Sequence, residues 1–468
     1  MIDRSRQPVY LYVLLVALAI SVFVIRTQFN IQNVGAILFF LVFIPTLIRP
    51  GIGFMVIIVS ALFSPDIIIG VTTRREITIR VEDIFLLVVL FAWLLRAAFT
   101  KDLLKIFKAS LTAPFFIYIG VCVLSSVFAA LSGDFDIGYG FFSILKYLEY
   151  FMLFLVARNT VTSFGEVKLL TVIFIITALL VSVNSNIYIA QQLERGVGFF
   201  RTAPPVETRG GGEAGTLGGY LLFMIAVTMG CILCMRPLLV RLALILVAAV
   251  MFRPFLYTMS RGSYIAFIPM LMVLVLFSRK MNFLYVTIIG LILLGVFMPP
   301  MVRGRITQTV AVKEDVEGRY VEWEESPRFR LESWREVAFD RFPRSPFFGY
   351  GVGRFFIDSQ LFLTLSETGL LGLVSFGWIL TRLFLAARRV FYDDSIRGND
   401  LARGLSLGFL AGFSGLLVQA VSTNTFIIIR IMEPFWIMAA IVVALPALVQ
   451  KEAAAQDGIT PLESQSFT

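Results

Sequence analysis

Four short stretches hold the side chains of this sequence that could do chemistry. The first runs from Glu207 to Tyr220, where Arg209 precedes a string of glycines that leads straight into an apolar run. Free backbone N–H groups beside a helix start, with the helix dipole pointing the same way, make a nest for an anion. The second is Ser260, Arg261, Gly262, Ser263 and Tyr264, a turn between two apolar runs too short to let Arg261 wander. An arginine held there either snorkels to the surface or meets an anion. The third is Arg330 to Arg335, with Trp334, which reads as a short amphipathic helix. The fourth holds Pro346, Gly349, Gly351, Gly353 and Arg354, then Asp358, Ser359 and Gln360, then Glu367 and Gly369. The planar fork of arginine suits phosphate or carboxylate oxygens. A carboxylate at a membrane boundary is a candidate proton acceptor. The combined chemistry is anion binding next to acid–base transfer.

Composition removes several other chemistries. The chain has 468 residues and no histidine, so a histidine base, a Ser-His-Asp triad and a His-ligated metal are all excluded. Cys122, Cys231 and Cys234 lie in apolar runs. The Cys231–Cys234 spacing therefore reads as packed thiols rather than a redox pair. The three regularly spaced glycines after Pro346 follow no strand of a βαβ unit, which sets aside a dinucleotide fold. No metal site, cofactor or nucleic-acid partner is expected.

The elements that must position these residues are membrane spans. Hydrophobic residues make up 58% of the chain and charged ones 15%, with a mean hydropathy of +0.87. The apolar residues fall in runs of about 17–22, the length needed to cross a hydrocarbon core of about 30 Å. The expected fold is all-α: a polytopic membrane helix bundle of about 14 spans (12–14) with one large, partly helical extracytoplasmic loop. The run at 51–64 is short enough to be tilted or re-entrant. The expected divisions are an N-terminal bundle over 1–190, spans with the Gly-rich loop and Ser-Arg-Gly hairpin over 191–299, the large loop over 300–357, C-terminal spans over 358–450 and a polar tail over 451–468.

Alternate loops carry most of the net charge of +9, which by the positive-inside rule puts both termini in the cytoplasm. The opposite face then collects an excess of arginine. The 300–357 loop alone has nine arginines, one lysine and nine acids. These charges could simply pair to hold a small subdomain together, and Glu367 could be an acceptor for backbone N–H groups rather than a base. Lys146 and Glu149 share a helix face in one span and are expected to pair.

In this order, the motifs at 209–220, 260–264, 330–335, 346–353 and 367–372 resemble the O-antigen ligase and O-antigen polymerase superfamily, over roughly residues 195–385. The resemblance implies a metal-independent, inverting glycosyl transfer on the outer face of the bacterial cytoplasmic membrane, with the large loop periplasmic. The donor would be a glycan on undecaprenyl diphosphate and the acceptor another glycan or a lipid A core. Arg209, Arg261 and Arg330 would take the diphosphate, with Arg195, Arg335, Ser260, Tyr264 and Gln360 in support. Ligases of the superfamily carry a histidine where the loop returns to the membrane; here Asp358, Ser359 and Gln360 stand there. Asp358 is therefore the first candidate base and Glu367 the second, and a polymerase is favoured over a ligase or a lipid-linked glycan flippase. A chain-length regulator and a flippase are the expected protein partners.

Overall fold

The computed structural model describes residues 43–46, 49–64, 67–71, 76–100, 111–133, 135–206, 214–307, 310–315, 318–323 and 325–456. The expected spans at 9–25 and 33–48 lie almost wholly outside these residues. The described chain starts with α1 (Pro50–Phe63), a hairpin of β1 (Ile67–Val71) and β2 (Glu76–Ile79), and α2 (Val81–Thr100). Then come α3 (Thr112–Leu131), α4 (Ile137–Thr160), α5 (Phe164–Glu194), α6 (Ala214–Cys234), α7 (Leu238–Tyr257), α8 (Arg261–Ser278) and α9 (Met281–Phe297). The large loop holds α10 (Pro300–Thr307), a second hairpin of β3 (Val310–Asp315) and β4 (Gly318–Trp323), and α11 (Glu325–Glu336). The chain closes with α12 (Gln360–Tyr392), α13 (Asp400–Gln419) and α14 (Ile429–Gln456).

Among the described residues, nine helices are long and apolar enough to cross a membrane. At 1.5 Å per residue, the 14 residues of α1 reach about 21 Å, short of an upright crossing. The all-α expectation needs one correction, because both hairpins are antiparallel strand pairs. The second pairs Val310 with Trp323 through to Asp315 with Gly318. Both lie in segments too polar to span, where pairing of two short strands satisfies their backbone groups locally. The polar tail begins as a continuation of α14. The helix runs past residue 451 to Gln456, since Ala453, Ala454 and Ala455 favour helix. Lys451 Nζ donates to Thr162 O at 3.2 Å and Glu452 pairs with Lys168 at 3.2 Å.

Polar caps set where the helices begin. Asp136 Oδ1 accepts from Tyr139 N at 3.0 Å at the start of α4, and Ser163 and Glu166 form a reciprocal capping box at the start of α5. The centre of the bundle is α6, α13 and α14. Phe223, Phe409, Phe413 and Phe435 interlock there, with ring centroids 5.1–6.0 Å apart. Glycine lets α6 and α13 touch backbone to backbone, as small residues do between membrane helices. A Cβ on Gly408 would fall 2.5 Å from Val227 Cα, whereas one on Gly290 of α9 would meet nothing within 4 Å. Gly408→Val is therefore expected to destabilise the protein by about 1–3 kcal/mol. Thermal unfolding in detergent should show the loss, with Gly290→Val unchanged as the control.

Candidate active site

The return of the large loop to the membrane is built around a break in a helix. Gly369 has φ 65° and ψ −162°, which splits α12 after its third turn. The break leaves the carbonyls of Ser366 and Glu367 and the N–H groups of Leu370 and Leu371 without helical partners. The loop 346–351 supplies all four. Tyr350 N donates to Ser366 O at 3.1 Å and Gly351 N to Glu367 O at 2.9 Å. In return Leu370 N donates to Pro346 O at 2.8 Å and Leu371 N to Phe347 O at 3.4 Å. The two backbones meet so closely that both contact points must be glycine in the left-handed region. A Cβ on Gly349 (φ 66°) would lie 2.5 Å from Glu367 C, and one on Gly369 2.4 Å from Phe347 C.

Glu367 is 4% exposed and faces into this joint. Its Oε1 accepts from Gly353 N at 2.8 Å. From α3, Ser125 Oγ donates to Glu367 O at 2.5 Å and accepts from Gly351 N at 3.1 Å, while Ser126 Oγ accepts from Val352 N at 3.2 Å. The Glu367 side chain thus serves here as an acceptor for loop backbone.

Asp358 sits just before α12, at the outer edge of the joint. Arg330 Nε donates to its Oδ2 at 3.2 Å, with the two side chains 31% and 40% exposed. Four residues further along each segment, the Trp334 and Phe362 rings stack at 5.2 Å and 12°. Matching four-residue steps on both elements make a ladder that docks α11 onto the start of α12. Arg335 projects outward on the exposed side of α11. Gln360 is fully buried. Its backbone N donates to Ala420 O at 2.9 Å and its Oε1 accepts from Phe426 N at 3.1 Å. Ser359 N donates to Asn424 Oδ1 at 3.1 Å. Gln360 therefore anchors the turn 419–428 instead of facing outward.

The start of α8 lies on the other side of that turn. Ser260 caps the helix, its Oγ accepting from Ser263 N at 3.4 Å and from Ser263 Oγ at 2.9 Å. A Cβ on Gly262 would lie 2.4 Å from Ser422 Oγ. Arg261, half-buried at the first helical position, donates from Nε to Arg305 O at 3.2 Å. Tyr264 donates from its hydroxyl to Leu256 O, closing the hairpin with α7. Arg305, from α10, thus lies against Arg261 at this hairpin. Arg195 is exposed at the end of α5. Arg209 lies outside the described residues, as does the rest of 207–213.

Two features were not anticipated. Gln419, fully buried at the end of α13, donates from Nε2 to Gly215 O and to Ser263 Oγ, both at 3.0 Å. It ties the opening turns of α6 and α8 together. Gly218 and Gly219 make room for this, since a Cβ on either would lie 2.4–2.5 Å from Ser263 Oγ or Gln419 Oε1. An amide closing the apolar stretch Leu416–Val418 was the available signal. The second feature is a charged node in the N-terminal half of the bundle. Asp83, Glu149 and Glu433 bring one carboxylate oxygen each within 4.8 Å of one another. Arg430, one turn from Glu433, donates to Val206 O at 2.8 Å and Ser64 O at 3.5 Å.

The α7–α8 hairpin, the docked loop helix and the broken α12 thus form one continuous unit of sequence. Residues 254–377 match the family model described as O-antigen ligase. This segment is similar to the O-antigen ligase family. No curated protein matches the chain. The matched segment contains Arg261, Arg305, Arg330, Asp358 and Glu367, whereas Gln419 and the turn that joins its two halves lie beyond it. With nine candidate spans among the described residues, the chain is a multi-pass membrane protein with a segment similar to the O-antigen ligase family.

The Glu367 geometry has a measurable consequence. Glu367→Ala removes a charged acceptor from a buried N–H and is expected to cost about 1.5–3 kcal/mol. Glu367→Gln keeps an acceptor oxygen and should lose less than half of that, as read from thermal midpoints of the purified protein.

Proposed function

We propose that this protein is a polysaccharide polymerase of the cytoplasmic membrane of a bacterium, extending undecaprenyl-diphosphate-linked repeat units on the outer face. The observation that carries the reading is the O-antigen ligase-like segment 254–377, whose Arg261 and Asp358 come from helix starts on the two sides of the turn 419–428. The absence of histidine anywhere in the chain favours a polymerase over a ligase. The alternation of basic loops supports an outward-facing site, with the large loop periplasmic and both termini cytoplasmic.

In this reading an acceptor sugar hydroxyl gives its proton to the Asp358 carboxylate as its oxygen attacks the anomeric carbon of the donor. The bond from that carbon to the diphosphate oxygen breaks, and the lipid diphosphate leaves with the electron pair. Attack from the face opposite the leaving group inverts the anomeric centre in a single displacement. Arg261, with Arg305 beside it and Arg209 as a further candidate, stabilises the charge that develops on the diphosphate. Fixed guanidinium groups take the role that a metal ion has in other transferases. Arg330 holds Asp358 in place and stays beside it when the proton is transferred, so its part is positioning more than diphosphate binding. Glu367, Gln360, Ser260 and Tyr264 support the frame.

The description of the matched family favours a second reading, transfer of finished glycan to an acceptor such as a lipid A core. Deleting the gene and running the surface glycan on a gel separates the two. A ladder that collapses to single repeats supports the polymerase, and full-length glycan left on its lipid carrier supports the ligase. Repeats trapped inside the cell would make the protein a flippase instead. Within the polymerase reading, Arg261→Ala should lower product at least about 100-fold. Asp358→Asn should lower it about 100- to 10,000-fold. Both variants should remain inserted and folded, and wild-type ladders from either would remove the corresponding assignment.

A further inference from the structure

The end of the bundle opposite the α7–α8 hairpin holds a cavity that the transfer reaction does not use. Helices α5 and α7 are pinned together toward their hairpin ends. Asn186 Nδ2 donates to Val250 O at 3.0 Å, and Arg253 donates to Asn186 Oδ1 at 3.4 Å. Away from this pin the two helices part around a cavity of about 650 Å³. Val172, Ile175 and Ile176 of α5 line one side and Ala243, Leu244 and Val247 of α7 the other. Val172 and Ile176 are themselves 51% and 48% exposed, so the opening faces sideways, where a spanning helix meets hydrocarbon.

Charge changes abruptly at the mouth. Lys168 and Asp400 both line the opening. Lys168 pairs with Glu452 at 3.2 Å while half exposed, and Arg236 pairs with Asp400 at 3.3 Å while 81% exposed. Arg241, on the first turn of α7 next to the cavity-lining Val240, and Arg403, one turn from Asp400, add two cations. Glu166 on the first turn of α5 adds one acid, which leaves the cations in excess. Ion pairs this open to solvent hold little energy, so the cations can turn to a better partner. An apolar slot that opens to lipid, ending in net positive charge, matches the two parts of one molecule. We propose that this is a binding site for an anionic glycerophospholipid, with an acyl chain between α5 and α7 and the phosphate on Lys168 and Arg236. The occupant follows from charge complementarity: a zwitterionic headgroup would bring its own cation against this excess of basic side chains.

The test uses the full-length protein purified in detergent and titrated with phosphatidylglycerol or phosphatidylcholine, with bound lipid read by native mass spectrometry. Phosphatidylglycerol should bind about tenfold more tightly. The double variant Lys168→Gln/Arg236→Gln should erase that preference and leave only the weaker binding. Ala243→Trp, which fills the slot, should lose both lipids while keeping its lipid-free thermal midpoint; if it does not fold, the double variant decides alone. Equal affinity for the two lipids in the wild-type protein would overturn the proposal. So would full competition by inorganic phosphate, which would make this a simple anion site. Displacement of phosphatidylglycerol by undecaprenyl phosphate at equal concentration would assign the slot to the carrier lipid instead.

Discussion

The exchange of four backbone hydrogen bonds at Gly369 is the constraint on which the rest of the structure depends. In hydrocarbon an open backbone group costs several kcal/mol, so a spanning helix stays intact unless something replaces what it loses. Here the loop that has just left the soluble side supplies a donor or acceptor for each freed group. The serines of α3 and the Glu367 carboxylate then satisfy the groups of the loop itself. This accounting fixes where the loop enters, which places Asp358 at the rim. The Arg330 and Trp334 ladder is built on that rim, so the loop helix inherits its position from a backbone defect one to three turns below.

How much of this was legible depends on whether the information was local. Long apolar runs predict spans because length and hydropathy are properties of one segment, and α3 to α8 fall where those runs lie. The amphipathic spacing from Arg330 to Arg335 likewise predicts α11. The two hairpins were missed, although each has short alternating stretches around a polar turn, because charge composition dominated those segments. Glu367 can be read from sequence as base or acceptor; the bond it accepts from Gly353 supports the acceptor reading, and nothing in its own neighbourhood announces that bond. Ser260, Tyr264 and Gln360 have polar ends that look available in sequence, yet each is engaged with nearby helix ends. Gln419 bonds to residues more than 150 positions earlier, a pairing that no spacing rule can reveal.

Arginine outnumbers lysine in the large loop, nine to one. A lysine in place of Arg330 could meet Asp358 only as a point charge, whereas the guanidinium has five N–H donors, of which Nε serves that carboxylate. Arg261 uses its Nε on a backbone carbonyl in the same way, leaving its fork oriented by that anchor.

The turn 419–428 is joined to α12 through Ala420, Asn424 and Phe426, to α8 through Gln419 and Ser422, and to α6 through Gln419. That turn connects the last two helices of the chain. During synthesis the arginine hairpin and the large loop therefore emerge long before the residues that hold them in register. A ribosome that stalls after α12 leaves a chain with residues 254–377 complete and its two halves unjoined. The order of synthesis thus puts the joining of the hairpin to the loop after both have been made.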